Sequence, residues 1–275
     1  MNRDFIWEGD YGNRSHLIPI LKEILEKQNA NSLQMVQAFI NNNPYTLEFY
    51  LVLSYDSPEE QHIAEMIAML QNADLIYRPD ITHNELFSEF GNRRFNSSTF
   101  VNGGDLEIRF SHLFVFVEKK ELREQGYKFS GPLGRDMPVF LSHQSKNKEE
   151  IEELIPYLNG EGLPIWFDKY NIDYGESIVE EVEKGIKSSG AVVFWITKDF
   201  IESDWCKKEL KDFLNRYNYK KDILIIPVIS DDVEIEELNS ISDLKYIKNT
   251  NEELNLIAKD IVPRIKKFYN ENFKR

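Results

Sequence analysis

The stretch MPVFLSHQSKNKEEIEELIPYLNGEGLPIWFD, residues 137–168, contains two apolar runs of strand length with an amphipathic segment between them. MPVFLS and LPIWF are short and apolar, which is typical of buried strands. Between them, apolar side chains recur at helical spacing, at Ile151, Leu154, Ile155 and Leu158. Two glycines, Gly160 and Gly162, follow this segment and precede the second run. The stretch therefore predicts a strand–helix–strand unit that ends its helix at the glycines.

The same alternation continues to the end of the chain. Further predicted helices cover Ser177–Ser188, Ser203–Tyr217 and 251–269, and further predicted strands are AVVFWIT (191–197) and DILIIPVI (222–229). Because these strands are apolar throughout, we expect a parallel sheet with helices on both faces, in a flavodoxin-like α/β fold. Ligands of such sheets bind beyond the carboxyl ends of the strands, so the loops after Ser142, Phe167 and Thr197 are the predicted site.

A glycine-rich segment, GYKFSGPLGRD (Gly126–Asp136), precedes this half of the chain and predicts a linker. We therefore expect an N-terminal domain over residues 1–130 and a second domain over 137–275. In the N-terminal part the pattern favours helices at 17–27, 32–41 and 59–70 and strands at 47–54 and 108–118. These elements predict a smaller α/β domain, for which we expect a regulatory, sensing or assembly role.

Residues 49–80 align without gaps on residues 137–168, and both segments contain an LS-x-x-S turn, an acidic helix and a closing aspartate. Two interpretations stay open. Any two strand–helix–strand units look this similar, or the N-terminal part is a degenerate second copy of the C-terminal domain. In the second case Gly131 stands at the position of Glu209, and that copy would be inactive.

The charge balance limits the partners of this chain. Its 275 residues include 33 Lys and Arg against 47 Asp and Glu, for a formal net charge of −14. Nucleic acids and anionic membranes are bound through clustered Lys and Arg, so neither is an expected partner. The chain has a single cysteine, and its opening residues lack the pattern of a secretory signal. No apolar run approaches the roughly 20 residues that span a bilayer. These features predict a cytoplasmic protein.

ITKDFIESDWCKKEL, residues 196–210, contains the side chains most suggestive of chemistry. Ser203 is a predicted N-cap, and Trp205 and Glu209 follow four residues apart, so both project from one helical face. No histidine stands in a recognisable catalytic pairing with Cys206, which favours a small buried residue over a nucleophile. The sequence has no phosphate-binding Gly-rich loop, no zinc-binding His-Glu-x-x-His and no histidines at metal-ligand spacing, so no metal is expected.

This segment resembles the central motif of TIR (Toll/interleukin-receptor) domains, in which a serine, a tryptophan, often a cysteine, and a glutamate–leucine pair occur in this order. VFLSHQSKNKE (139–149) is similar to the first strand and turn of that family, and WFDKYNIDYGESI (166–178) to its loop after the second strand. The resemblance covers Met137 to about Arg275. It implies one of two functions, a protein–protein signalling scaffold or cleavage of NAD⁺ by the glutamate.

The enzymatic function implies that Glu209 is the key carboxylate and that NAD⁺ is a substrate, with no cofactor needed. The bond between nicotinamide and ribose already carries a cationic leaving group, so one carboxylate can suffice where ordinary glycosidases need two. Trp205 would offer an aromatic face to a base or nicotinamide ring, and N–H groups in residues 142–146 would suit a pyrophosphate. The other candidate substrate contacts are Ser142, His143, Lys146, Phe167, Asp168, Ser177, Thr197 and Cys206.

Each of these candidates also has a plainer explanation. Glu209 fits an ordinary solvated helix carboxylate, Trp205 fits core packing, and His143 fits a turn residue. Asp168 and Ser177 fit a loop cap and a helix cap. The sequence alone leaves both explanations open at each position.

The resemblance further implies self-association, with residues 168–177 of one subunit completing the site of its neighbour. Stand-alone bacterial TIR proteins of the (Thoeris-like) kind it resembles act in anti-phage defence, by depleting NAD⁺ or by making a cyclic ADP-ribose signal for a partner effector. Hydrolysis and cyclisation stay open, because water and an internal hydroxyl compete for the same ribosyl cation. The competing hypothesis is a non-enzymatic TIR scaffold or mimic that acts through TIR–TIR contacts.

Overall fold

The computed structural model divides the chain into two compact units, Met1–Gly134 and Arg135–Arg275. It describes residues 2–12, 15–29, 31–43, 46–89, 95–100, 102–111, 124, 133–134, 137–172, 175–234, 238, 241, 243–250 and 253–273. The predicted linker, Gly126–Asp136, lies outside the described residues except for 133 and 134. Within the described ranges, no helix combines the length and the hydropathy that crossing a bilayer requires.

The first unit contains an antiparallel sheet. Its elements are β1 (Asn2–Gly9), α1 (Leu17–Lys27), β2 (Leu33–Asn43), β3 (Thr46–Asp56), α2 (Glu60–Asn72), β4 (Ile76–Tyr77), α3 (His83–Ser88), β5 (Asn96–Phe100) and α4 (Gly103–Ser111). The strand order is β4-β1-β3-β2-β5, and every paired neighbour is antiparallel. The β1-α1-β2-β3-α2-β4 part of this order is the split βαβ arrangement of ferredoxin-like domains.

The helices predicted over 17–27 and 59–70 and the strand predicted over 47–54 are confirmed. The helix predicted over 32–41 is wrong, because this segment is strand β2, paired with β3 on one side and β5 on the other. Its apolar side chains follow a period of two rather than 3.6: Val36 and Ala38 enter one core cluster, and Phe39 enters the cluster on the opposite face.

The strand predicted over 108–118 is wrong in its first four residues, which form the end of α4. Residues 112–118 lie outside the described part of the chain. The glycines and Asn102 before this segment favour a helix start here, since the Asn102 side chain accepts a hydrogen bond from the backbone N–H of Asp105. A cap of this kind can outweigh the strand preference of the apolar residues that follow.

The N-terminal unit is not a degenerate copy of the C-terminal one. Strands β3 and β4 are parallel to each other but are separated by the antiparallel strand β1. In the C-terminal unit the corresponding strands are direct parallel neighbours. The alignment of 49–80 with 137–168 therefore reflects two strand–helix–strand units that belong to different sheets, and Gly131 lies outside the described residues.

The second unit is a doubly wound α/β domain, as predicted. Its elements are β6 (Val139–Ser142), α5 (Lys148–Gly160), β7 (Ile165–Trp166), α6 (Asp168–Asn171), α7 (Ile178–Ser188), β8 (Ala191–Ile196), α8 (Lys198–Glu202), α9 (Asp204–Lys220), β9 (Leu224–Ser230), β10 (Ile247–Asn249) and α10 (Leu254–Asn272). The strands are parallel in the order β10-β9-β8-β6-β7, which is the flavodoxin-like order. The sequence did not predict the short elements α6, α8 and β10.

The sheet places the ends of β6 and β7 and the start of α9 at the carboxyl ends of its strands. Residues of β6 and β8 are buried along their whole length, as expected for strands covered on both faces. Helices α7 and α9 contribute to the cluster on one face of the sheet, and α5 and α10 contact each other. Residues at the carboxyl ends of β6 and β7 and at the start of α9 lie close together, as shown by the hydrogen bond from Ser142 to Glu209 and the contact of Cys206 with His143.

A glycine sets the distance between α7 and the sheet. A Cβ on Gly185 would lie 2.5 Å from Cε2 of Trp166, whose ring stacks on Phe140 with centroids 4.3 Å apart. A contact under 3 Å forces a shift, and the indole is buried and stacked, so it has little freedom to move. Gly185 therefore allows α7 to pack directly on the Trp166 ring.

Replacing Gly185 with Ala is expected to destabilise the C-terminal unit by about 1–2 kcal/mol, because overpacking outweighs the better helix propensity of Ala. Denaturant unfolding of the full chain, compared with Lys187→Ala on the exposed side of the same helix, measures the effect. A stabilisation of about 1 kcal/mol, as at an open helical glycine, would show that the ring gives way.

Candidate active site

A cavity of about 260 Å³ lies at the carboxyl ends of β6 and β7, two of the three strand ends at which the sequence predicts the site. Residues 197–202, which follow the third strand β8, are not among the described residues that line it. The described residues that line it are Phe140, Leu141, His143, Gln144, Ser145, Trp166, Asp168, Ile178, Val182, Ser203, Trp205, Cys206 and Glu209. Five of these were predicted site residues. The wall thus combines an apolar side with a small set of polar groups, which is the usual composition of a small-molecule site.

Glu209 is the buried carboxylate of this cavity. Ser203 caps α9 by accepting a hydrogen bond from the Cys206 N–H at 3.3 Å, and this start places Trp205 and Glu209 one turn apart. Ser142 donates its hydroxyl to Glu209 Oε2 at 2.6 Å, and the Trp205 indole N–H donates to Oε1. The side chain is only 7% exposed, so Glu209 is not the solvated helix carboxylate of the plainer explanation.

Burial raises the pKa of Glu209 from its ordinary 4.5 to about 7. The hydrogen bonds from Ser142 and Trp205 oppose this rise, and the negative charge of Asp168 adds to it. Within the described ranges, no basic side chain forms an ion pair with this carboxylate. Its charged form is therefore held by two neutral donors alone, which leaves the charge available to a cationic ligand.

Two contacts orient the His143 ring just after the end of β6. Its Nδ1 lies 3.1 Å from the carbonyl oxygen of Leu141, and its ring stacks on Phe167 with centroids 4.9 Å apart and planes 16° from parallel. Burial lowers the pKa of His143 below its ordinary value. The imidazole is consequently a neutral, oriented ring on the cavity wall at neutral pH.

Asp168, the first residue of α6, brings a second carboxylate to the cavity. Lys148 Nζ lies 2.9 Å from Asp168 Oδ2 and 5.5 Å from the centroid of the Phe167 ring. Both charged side chains are about one third exposed, so the pair adds little to stability. Its main effect is to fix the position of Asp168 at the cavity edge.

Five predicted site residues do not line the cavity. Ser142 is buried and supports Glu209, while Phe167 is buried against His143. The ammonium of Lys146 pairs with Asp199, and its backbone N–H is taken by the side chain of Gln144. The remaining two cap helices: Ser177 caps α7 and Thr197 caps α8.

Cys206 lies on the cavity wall but has no feature of an activated nucleophile. It is 2% exposed, and its Sγ is 3.6 Å from the carbonyl oxygen of His143. Burial raises the pKa of the Cys206 thiol, which keeps it protonated. The interpretation as a small buried residue agrees with this environment.

Sequence reasoning missed the apolar wall, formed by Phe140, Trp166, Ile178 and Val182. Phe140 and Trp166 were placed in strands, but a strand buried on both faces gives no pattern that says which side chain faces a cavity. Ile178 is 60% exposed although it lines the cavity, so the rim is open on this side. The helical spacing of Ile178 and Val182 was the one available signal.

The parallel strand order defines a doubly wound α/β domain, and the buried carboxylate lies at a candidate ligand site at its strand ends. Residues 139–259 match the TIR domain family, and the C-terminal unit is therefore a TIR domain, as the motif around Trp205 and Glu209 indicated.

Curated relatives are similar over this unit. The chain is 29% identical over 132 residues (47% of this chain, 38% of the relative) to the probable 2′ cyclic ADP-D-ribose synthase TcpO of Methanobrevibacter olleyae. It is 33% identical over 118 residues (42% of each chain) to the NAD(+) hydrolase TirS of Staphylococcus aureus strain MSSA476. The chain thus spans about two fifths of these relatives.

Among solved structures, the TIR domains of the activated Roq1 resistosome that directly recognises the pathogen effector XopQ are 20% identical to this chain. The match covers 47% of this chain and 99% of that chain, with a TM-score of 0.42.

The raised pKa of Glu209 has a measurable effect on stability. Between pH 4.5 and 7 the folded state keeps a proton that the unfolded state has lost, so this group stabilises the fold at low pH. That contribution disappears as the pH rises through about 7, the folded-state pKa. A shift of this size corresponds to an upper bound of about 3 kcal/mol.

We expect Glu209→Gln to become progressively more stable than the wild type as the pH rises from 4.5 to 8. Urea unfolding at several pH values measures the difference in free energy of unfolding, and Glu202→Gln, on the exposed side of α8, is the matched control. A difference that does not vary with pH would contradict the raised pKa.

Proposed function

We propose that the TIR domain cleaves NAD⁺ at the bond between nicotinamide and ribose, with Glu209 as the key carboxylate. The observation that carries this proposal is the Glu209 carboxylate itself, which is buried on the cavity wall and held by Ser142 and Trp205. Among the residues that the structure describes, no Lys or Arg forms an ion pair with it. The two similar relatives named as an NAD(+) hydrolase and a probable cyclic ADP-ribose synthase support the same reaction class.

The chemistry needs a negative charge more than it needs an acid. The nicotinamide ring leaves with the electron pair of the glycosidic bond and becomes neutral, so it needs no proton. The ribose becomes cationic as the bond breaks, and a fixed carboxylate in a poorly hydrated site stabilises this charge. Glu209 performs this role in its ionised form, and the half-exposed ring of Trp205 provides a face for the pyridine ring.

The cavity in one subunit encloses only part of the substrate. Its volume of about 260 Å³ is below the roughly 300–1,000 Å³ of typical small-molecule pockets. Among the described lining residues there is no Lys or Arg to meet the pyrophosphate. We therefore place nicotinamide and its ribose in the cavity and the adenosine part beyond the open rim at Ile178.

This geometry favours a site completed by self-association. The rim carries two exposed apolar side chains, Ile178 and Trp205, which a second copy of the chain would cover. Asp168 lines the cavity and Ser177 directly precedes Ile178, and we propose that the segment 168–177 contacts the neighbouring subunit. In this assembly the neighbour supplies the groups that hold the phosphates.

The proposed cellular role is bacterial defence against phage. Cleavage of NAD⁺ would either deplete the cofactor pool or release a cyclic ADP-ribose that a partner effector detects. The ferredoxin-like N-terminal unit would sense the trigger or control assembly of the TIR domains. Product analysis of the reaction separates hydrolysis from cyclisation.

The purified 275-residue protein incubated with NAD⁺ is expected to release nicotinamide, with specific activity that rises with protein concentration. Glu209→Gln should lower the rate by at least 10²-fold, the size of effect seen when one charge-stabilising group is lost. Release of no nicotinamide by the wild type, even when the protein is concentrated or clustered, would favour the non-enzymatic scaffold. Undiminished release by Glu209→Gln would reject the assignment of the carboxylate.

The same assay has an expected pH dependence. Because the ionised form of Glu209 is the active one and burial raises its pKa to about 7, kcat/KM should rise with pH and reach half its maximum near pH 7.

Trp205→Phe should move that half-maximum to higher pH, because it keeps an aromatic ring but removes the indole N–H that stabilises the charged carboxylate. Trp195→Phe is the matched control, since it removes an indole N–H that donates to Glu150 instead. Equal pH profiles for all three proteins would mean that Trp205 does not tune Glu209.

A further inference from the structure

The tautomer of His143 is fixed by the backbone. A carbonyl oxygen only accepts hydrogen bonds, so the 3.1 Å contact between His143 Nδ1 and the Leu141 carbonyl places the proton on Nδ1. In the neutral ring, Nε2 therefore carries a lone pair. Among the described residues, Nε2 has no hydrogen-bond partner, although the ring forms part of the cavity wall.

The position of this lone pair is also fixed. The ring is held on one side by the bond to the end of β6 and on one face by Phe167, against which it stacks. His143 is partly buried and lines the same cavity as the buried Glu209 carboxylate, so its Nε2 is an oriented acceptor that a ligand can reach. It suits a group that meets a hydroxyl of a ligand.

We propose that His143 Nε2 accepts the proton of the oxygen nucleophile that captures the ribosyl cation. This inference rests on the proposed function. Nicotinamide departs with the electron pair of the C1′–N bond, and the oxygen of water or of a ribose hydroxyl forms a new bond to C1′. Its proton moves to Nε2, and the imidazolium then releases that proton to solvent.

Glu209 is poorly suited to take this proton. Each of its oxygens already accepts a hydrogen bond, one from Ser142 and one from Trp205. Protonation would also remove the negative charge that stabilises the cation at the moment of capture. Two groups of the cavity wall therefore have separate roles. The carboxylate of Glu209 stabilises the ribosyl cation, and the imidazole of His143 accepts the proton of the nucleophile.

The charged groups around His143 leave it able to act as a base. Asp168 from α6 and Glu152 from α5 favour the imidazolium, and Lys148 from α5 opposes it, while Glu209 of α9 lines the same cavity. Burial is the largest influence and lowers the pKa of His143. The ring is thus neutral before the reaction at neutral pH, as a proton acceptor must be.

Base exchange separates this role from a structural one. Nicotinamide attacks the ribosyl cation through its ring nitrogen, which has no proton to lose, so exchange of labelled nicotinamide into NAD⁺ needs no base. Capture by water or a hydroxyl does. The ratio of net product to exchanged NAD⁺ therefore reports on the proton acceptor, and any effect on Glu209 cancels because both routes need the cation.

The test uses the 275-residue protein with NAD⁺ and labelled nicotinamide. His143→Asn keeps a donor to the Leu141 carbonyl but lacks Nε2. His143→Gln offers a weakly basic oxygen near the Nε2 position, and so tests hydrogen bonding without proton transfer. Both variants should retain exchange and lower the product-to-exchange ratio at least tenfold, within the 10²–10⁴-fold range of general base catalysis. In the wild type this ratio should fall at acid pH, where the ring is protonated, and in the variants it should not vary with pH.

Three outcomes would overturn the proposal. Equal losses of product and exchange in both variants would assign His143 a structural role, and a normal ratio in His143→Gln would reduce it to a hydrogen-bond acceptor. A wild type that gives neither product nor exchange would instead reject NAD⁺ cleavage itself, and with it the need for a base. Activity in the wild type together with loss of both routes in Glu209→Gln supports the proposed function independently of His143.

Discussion

The carboxylate of Glu209 is buried, although a carboxylate is normally solvated by water. Ser142 and Trp205 each donate one hydrogen bond to it, and burial raises its pKa to about 7. A buried charge that only two neutral donors stabilise lowers the stability of the fold. Carboxylates with pKa values shifted in this way are common at functional sites. The rest of the TIR domain can be understood as the scaffold that keeps this one group in place.

That scaffold depends on two backbone features meeting at one edge of the sheet. Strand β6 ends in Ser142, whose backbone is fixed by its pairing with Phe194 of β8, so its hydroxyl lies within reach of Glu209. The N-cap at Ser203 fixes where α9 begins, and therefore the direction in which Trp205 and Glu209 project. Close packing of α7 on the sheet, which Gly185 allows, completes the apolar wall opposite them.

The N-terminal unit shows the limits of local patterns. Helices α1 and α2 were predictable because their apolar residues recur at helical spacing and are buried on one side. Strand β2 was not, since a short apolar run fits either period until its partners are known. Its pairing with β3 and β5 decides the matter, and the ferredoxin-like order that results is invisible in a sequence read segment by segment.

The sequence by itself determined the alternation of strands and helices after residue 137, the helix cap at Ser203 and the shared helical face of Trp205 and Glu209. These are local properties, set by hydrophobic period and by backbone hydrogen bonding within a few residues. Only the tertiary structure decided that Ser142, 67 residues away, supports Glu209, and that Lys146 turns to Asp199 instead of the cavity. Strand order brings such distant groups together, and burial excludes solvent from them. The raised pKa of Glu209 and the oriented lone pair of His143 arise only from this tertiary arrangement.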